Sequence, residues 1–115
     1  MSHAEGSYAE SKGYWSHAEG GGDTYYSDTD INASSTNMKN IGTLAEGTGS
    51  HAEGSGTYSK GQFSHAEGHK TQTKAAASHA EGYFSRAEGI AAHAEGGGTQ
   101  TYPSNYTAVI NNPNT

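Results

Sequence analysis

The sequence predicts an all-β solenoid, a flattened roll of fourteen-residue coils, and three observations carry that prediction. The first is the motif Ser-His-Ala-Glu-Gly, intact at residues 2–6, 16–20, 50–54, 64–68 and 78–82, with the variants Thr43-Leu44-Ala45-Glu46-Gly47, Ser85-Arg86-Ala87-Glu88-Gly89 and Ala92-His93-Ala94-Glu95-Gly96. Fourteen residues is its dominant spacing. The second is a weaker half-repeat seven residues on: Ser11-Lys12-Gly13 follows Ala4, Ser59-Lys60-Gly61 follows Ala52, Thr73-Lys74-Ala75 follows Ala66, and Ala87-Glu88-Gly89 follows Ala80. The third is composition. The 115 residues include 17 Gly, 16 Ala and only eight Leu, Ile, Val or Phe, with a net charge of −6. An aperiodic chain of that kind buries too little apolar surface to offset its ordering entropy, whereas a repeat stacks identical small units.

A period of seven raises the coiled coil, but a heptad helix needs two large apolar positions, and the repeated residues here are Ala and Gly. In a strand, alternate side chains point to opposite faces, so Ser, Ala and Gly of the motif share one face and His and Glu the other. Two such strands and two turns make one coil. Gly6, Gly20, Gly54, Gly68, Gly82 and Gly96 are expected to end the strand, where positive φ costs glycine nothing. With small residues inside, the two sheets approach more closely than the usual ~10 Å, and coils stack about 4.8 Å apart. A flexible Gly/Ser linker has similar composition but holds no registry.

The rungs are placed by their alanines: Ala4, Ala18, Ala52, Ala66, Ala80 and Ala94, each with His before and Glu after. These alanines and Ala87 are expected to fill the roll interior. Outward positions of the second strand read Glu10 and Lys12, Thr24 and Tyr26, Tyr58 and Lys60, Gln72 and Lys74, Arg86 and Glu88, the mixture of a solvated face. Ala18 and Ala52 are 34 residues apart, six more than two coils, which reads as an insertion at about 21–42 in a repeat domain of 1–96. The insertion holds Asp23, Asp28 and Asp30, without the spacing, central glycine or closing Glu of an EF-hand. It is expected to be a polar excursion. Residues 97–115, with Tyr102, Pro103, Tyr106, Val109 and Ile110, read as a cap or connector.

Charge and segments narrow the function classes. Twelve acids against six bases leave no basic stripe for phosphates, so no nucleic-acid or anionic-membrane partner is expected. No apolar run approaches the ~20 residues of a membrane span, and no signal peptide follows Met1. The lack of cysteine removes disulfides and thiolate metal sites.

On these residues the coils resemble the head repeats of trimeric autotransporter adhesins, the YadA-like head with its Ser-x-Ala-x-Gly signature. Similar repeats occur in phage tail and fibre proteins. The resemblance implies a left-handed parallel β-roll assembled as a homotrimer, with the two variable motif positions packed toward the threefold axis. Those positions are usually aliphatic in the family. Here they are His3 and Glu5, His17 and Glu19, His51 and Glu53, His65 and Glu67, His79 and Glu81, His93 and Glu95. By the resemblance they form stacked polar rings on the axis. Histidine then supplies a donor to each crowded carboxylate across the chain boundary, and assembly responds to pH. The family's secretion signal, stalk and membrane anchor have no counterpart in this sequence.

Rings of three histidines also suit a transition metal, with water or Glu completing the shell, but no ring is singled out and no cofactor is expected. His69 lies off the row, at a turn, and is expected to be exposed. An enzyme is not expected: parity turns His and Glu away from Ser, and a nucleophilic site needs one converging geometry rather than six copies. Tyr8, Trp15, Phe63, Tyr83 and Phe84 fall beside the turns, where they either contact a glycan or protein receptor or simply cover the roll edges. The leading expectation is a non-enzymatic trimeric surface or fibre module, a spacer or receptor-binding head on a cell surface, phage tail or bacteriocin-like particle. Alternatives are a filament subunit stacking head to tail through its unpaired first rung, and a metal-stabilised rod.

Overall fold

A computed structural model describes residues 1–22, 42–98 and the backbone of 100–101. It is an all-β parallel solenoid. Twelve strands run in chain order: β1 (His3–Glu5), β2 (Glu10–Ser11), β3 (His17–Gly21), β4 (Leu44–Ala45), β5 (His51–Ser55), β6 (Tyr58–Ser59), β7 (His65–His69), β8 (Gln72–Thr73), β9 (His79–Tyr83), β10 (Arg86–Ala87), β11 (His93–Gly97) and β12 (Gln100–Thr101). Odd strands form one six-stranded sheet and even strands a second, each in simple succession. The full motif therefore builds one wall and the half-repeat the other. All pairing is parallel and in register, so Ala18 lies against Ala52, Ala52 against Ala66, Ala66 against Ala80 and Ala80 against Ala94.

The registry break resolves differently from the sequence reading. β3 pairs directly with β5, His17 on His51, and β2 pairs with β4, Glu10 on Leu44. Ala18 and Ala52 are thus neighbours in successive coils, one coil apart with 20 extra residues, not two coils with six. The extra length falls between β3 and β4, inside one coil. Thr43-Leu44-Ala45-Glu46-Gly47 and Ser85-Arg86-Ala87-Glu88-Gly89 are copies of the motif sitting in the second wall, as β4 and β10. Thr24, Tyr26, the three Asp residues and the 102–115 stretch lie outside the described residues.

The interior is small and partly hydroxylic. Ala18, Ala52, Ala66, Ala80, Ala87 and Ala94 are fully buried. Ala87 packs with Ala80, Ala92 and Ala94, and Ala45 with Ala18 and Ala52. Ala4 shares the register but is exposed, because β1 has a neighbouring coil on one side only. Between the walls, Ser59 Oγ lies 2.7 Å from Ser64 Oγ, and the Thr73 hydroxyl donates to Ser64 Oγ at 3.0 Å. Each hydroxyl is both donor and acceptor, so Ser59, Ser64 and Thr73 satisfy one another, whereas Ser50 Oγ and Thr57 Oγ1 have no partner among the described residues.

The motif serine has a specific task. The Ser16 and Ser64 hydroxyls donate to the Gly13 and Gly61 carbonyls at 2.7 Å, closing the turn that leads into the long strand, and Ser78 does the same to Ala75 at 2.6 Å. Backbone bonds from Ser16, Ser50 and Ser64 to the same carbonyl type reinforce the turn; Ala92, which has no hydroxyl, keeps only this backbone bond, to Gly89.

The motif glycine does not end the strand, which runs one residue further in β3, β5, β7, β9 and β11. Its φ of +108 to +123° lies beyond the left-handed region open to other residues. At the corners that follow, φ falls to 55–68° and the chain accepts Tyr8, Lys70 and Phe84 on one edge, Trp15, Phe63, Ala77 and Ala91 on the other. Corner amides bond from coil to coil, as from Phe63 to the Thr48 carbonyl, Ala77 to Gln62 and Phe84 to His69. The corners are therefore as tightly laddered as the walls.

The half-repeat wall is not a solvated face. Leu44, Tyr58, Gln72 and Arg86 are buried. Leu44 packs on Tyr58, whose hydroxyl donates to Glu46 at 2.8 Å, and Arg86 Nη2 and Lys74 Nζ both reach Glu88 Oε1, at 3.5 and 3.4 Å. Lys12 and Lys60, immediately after β2 and β6, are nonetheless exposed.

Candidate functional site

Parity and register place all six His–Glu pairs on the outer face of the odd-strand sheet. His17, His51, His65, His79 and His93 form a column of parallel rings with centroids 4.6–4.9 Å apart and planes within 1–11° of one another. His3 closes it edge-on at 5.1 Å. The spacing is that of the strands, so the backbone ladder sets the stack. Beside it runs the carboxylate row. Within each rung Nε2 lies 3.3–3.7 Å from its own Glu Oε2. The other oxygen faces the next rung: Glu53 Oε1 is 3.9 Å from His65 Nε2, Glu67 Oε1 3.7 Å from His79, and Glu81 Oε1 3.7 Å from His93. The side chains from His51 to Glu95 remain about one-third exposed, yet the Nε2 atoms of His17, His51, His65, His79 and His93 are shielded and make no hydrogen bond among the described residues. Alongside, motif glycines and carboxylates line two shallow grooves, one along Glu5, Glu19 and Glu53, the other along Glu53, Glu67, Glu81 and Glu95.

Carboxylates one rung apart repel by about 1 kcal/mol in water and about 3–4 kcal/mol at an effective dielectric of ~20. The row relieves this by retaining a proton. A hydrogen bond to Glu81, then burial, then a hydrogen bond to Glu53 push Glu67 up to about 7. In Glu81 the hydrogen bonds from Glu67 and Glu95 lower the value, and in Glu53 burial is outweighed by Glu67, His51 and Glu19 acting downward. Burial, then the neighbouring histidines, holds His65 below its ordinary value; burial also holds His79 down, against the opposing pull of Glu81. Burial thus disfavours the charged form of His65 and His79, while Glu67 holds its proton more tightly than the carboxylates on either side of it.

The linkage runs in opposite directions for the two groups. Glu67 binds its proton more tightly folded than unfolded, so its contribution is full below 4.5 and is lost as pH rises through about 7. His65 and His79 bind protons less tightly folded, so theirs is present above 6.5 and lost as pH falls below it; Glu53 and Glu81 add a further loss below 4.5. The melting temperature is expected to fall below 4.5 and to stay level above about 7; between the two, the loss from Glu67 opposes the gain from His65 and His79, so Glu67→Gln is expected to steepen the rise with pH across that window. A scan from pH 4 to 9 checks this, and a level profile contradicts it.

The aromatic residues divide between two edges. Trp15 and Phe63 sit on one, with Phe63 lying over Gly49, and Tyr8 and Phe84 on the other. Tyr83 is the last residue of β9. Its ring stacks on His69 at 5.1 Å and meets Phe84 edge-on at 4.4 Å, with Lys70 Nζ 5.5 Å above Phe84. His69 is accordingly a half-buried end residue of β7 and not an exposed turn residue. Tyr8, Trp15, Phe63 and Tyr83 remain exposed, as do Tyr14 and Ile90.

Fold and face together define a parallel β-solenoid with one chemically uniform wall. No family model, curated protein or solved structure matches the chain.

Proposed function

We propose that the chain is a non-enzymatic structural module: a left-handed roll that associates as a homotrimer through its His/Glu wall and serves as a spacer or receptor-binding head of a fibre, at a cell surface or on a phage tail. The observation that carries this reading is the six-rung ladder of identical His–Glu pairs on the outer face, in which the Nε2 atoms of His17, His51, His65, His79 and His93 are shielded yet without a hydrogen bond among the described residues. A rod that needs only to stack gains nothing from repeating two ionisable outward residues, whereas a face that meets its own copies needs the same chemistry at every level. The resemblance of the repeats to trimeric adhesin heads points the same way. Six equivalent copies offer no single converging site for catalysis. The exposed aromatics of the two edges would then be presented three times around the rod, a surface suited to stacking on sugar rings or apolar side chains.

Multi-angle light scattering is expected to give three times the 11.9 kDa chain mass, unchanged over a hundredfold dilution. A mass of one chain ends the reading. Head-to-tail stacking is the second reading, favoured by β1, whose three residues are exposed and whose outer edge is unpaired among the described residues. It would appear instead as a mass that grows with concentration.

A further inference from the structure

We propose that the His/Glu wall of a single chain is a ladder of three divalent transition-metal sites, each made of two histidines from successive coils and the carboxylate between them. Four such groups have all their ligand atoms within 4.8 Å of one another: His3–Glu5–His17, His51–Glu53–His65, His65–Glu67–His79 and His79–Glu81–His93. Ligand atoms about 2.1 Å from a shared ion stand about 3.4 Å apart in a tetrahedron. In the second group, Glu53 Oε2 and Oε1 already lie 3.4 and 3.9 Å from the two Nε2 atoms. In the fourth, both Glu81 distances are 3.7 Å. These edges are within a fraction of an ångström of that value, while the two imidazoles, stacked 4.6 and 4.8 Å apart in these groups, must tilt toward each other by about 1 Å to share an ion.

A second observation points to a ligand independently. The Nε2 atoms of His51, His65, His79 and His93 are shielded and hydrogen-bonded to nothing among the described residues. Contacts of 3.7 Å are not hydrogen bonds, and orphaned shielded nitrogens are costly. An ion between each pair gives both nitrogens a partner and balances the charge of the carboxylate between them. Imidazole with one carboxylate suits zinc, nickel or copper over calcium or magnesium, which prefer all-oxygen shells. Water fills the open positions.

Sharing sets the count. His65 belongs to two groups and so does His79, and one Nε2 holds one ion. Filling the first, second and fourth groups therefore excludes the third, and the wall holds three ions on alternate steps. The sites lie within one chain and do not rest on trimer formation.

Zinc is titrated into the full-length chain at pH 7.5 after chelator treatment, and bound ions per chain are read by equilibrium dialysis. Glu53→Gln is expected to lower the wild-type count by one, because the third and fourth groups then compete for His79. Glu67→Gln is expected to leave it unchanged. A count that Glu53→Gln leaves unchanged, or that Glu67→Gln lowers, overturns the ladder, as does binding of less than one ion per chain at 100-fold excess zinc. Axial rings of three histidines, one ion per three chains, give at most two ions per chain and no dependence on Glu53. Light scattering on the same samples reports the trimer separately, so the two readings fail independently.

Discussion

Gly68→Ala is expected to destabilise the chain by about 3–5 kcal/mol, enough to unfold a domain of this size at ambient temperature. Two costs add. At φ +111° an alanine is outside every region its Cβ allows, and that Cβ would be driven into the carbonyl of Gly82 in the next coil. Neither can be relieved locally, since Gly68 and Gly82 are paired in the ladder between β7 and β9. The neighbouring corner supplies the comparison. Lys70 sits at φ 55°, a left-handed conformation that lysine and alanine tolerate equally, so Lys70→Ala is expected to cost under about 1 kcal/mol. Urea denaturation of both variants separates them. Equal midpoints would refute the close approach of coils as the reason for glycine here.

The second large effect is expected inside the roll. Ala80 is fully buried, packed against Ala87, Ala92 and Ala94 and laddered between Ala66 and Ala94. Leucine adds three carbons where the opposing wall presents another alanine, and overpacking of this kind costs about 1–3 kcal/mol or more. Because the two walls are joined at every coil, the strain passes to neighbouring rungs instead of being absorbed at one. Ala80→Leu is therefore expected to lose about 3 kcal/mol. Ala4→Leu, at the equivalent position of the exposed first coil, is expected to stay within about 0.5 kcal/mol. A denaturant midpoint for Ala80→Leu close to wild type would mean that the interior is looser than alanine requires.

Both variants probe one constraint, the small cross-section of the coil, and the His/Glu wall follows from it. A narrow interior forces the motif alanine inward, and strand parity then forces His and Glu outward in every rung. Register does the rest: once Gly68 lies on Gly82, His65 must lie on His79 and Glu67 on Glu81. Alignment of the outward positions into columns is thus a consequence of stacking, while their occupation by imidazole and carboxylate at every rung is not.

What the residues alone determined is the part that depends on period and parity. Spacings of fourteen and seven fix two walls, and the invariant Ala and Gly fix which side of the first wall is inside. Other features depend on distances that no spacing encodes. The 34 residues between Ala18 and Ala52 read along the chain as two coils and six residues, whereas the pairing of His17 with His51 makes them one coil and 20. Tyr58, Gln72 and Arg86 look like a solvated mixture along the chain because the polarity of a side chain does not state how much of it packing covers. Likewise the motif places His and Glu two residues apart but does not reveal that each carboxylate reaches the histidine of the following coil. A linear repeat specifies direction and order, whereas proximity between coils arises when backbone ladders bring residues fourteen apart to within about 5 Å.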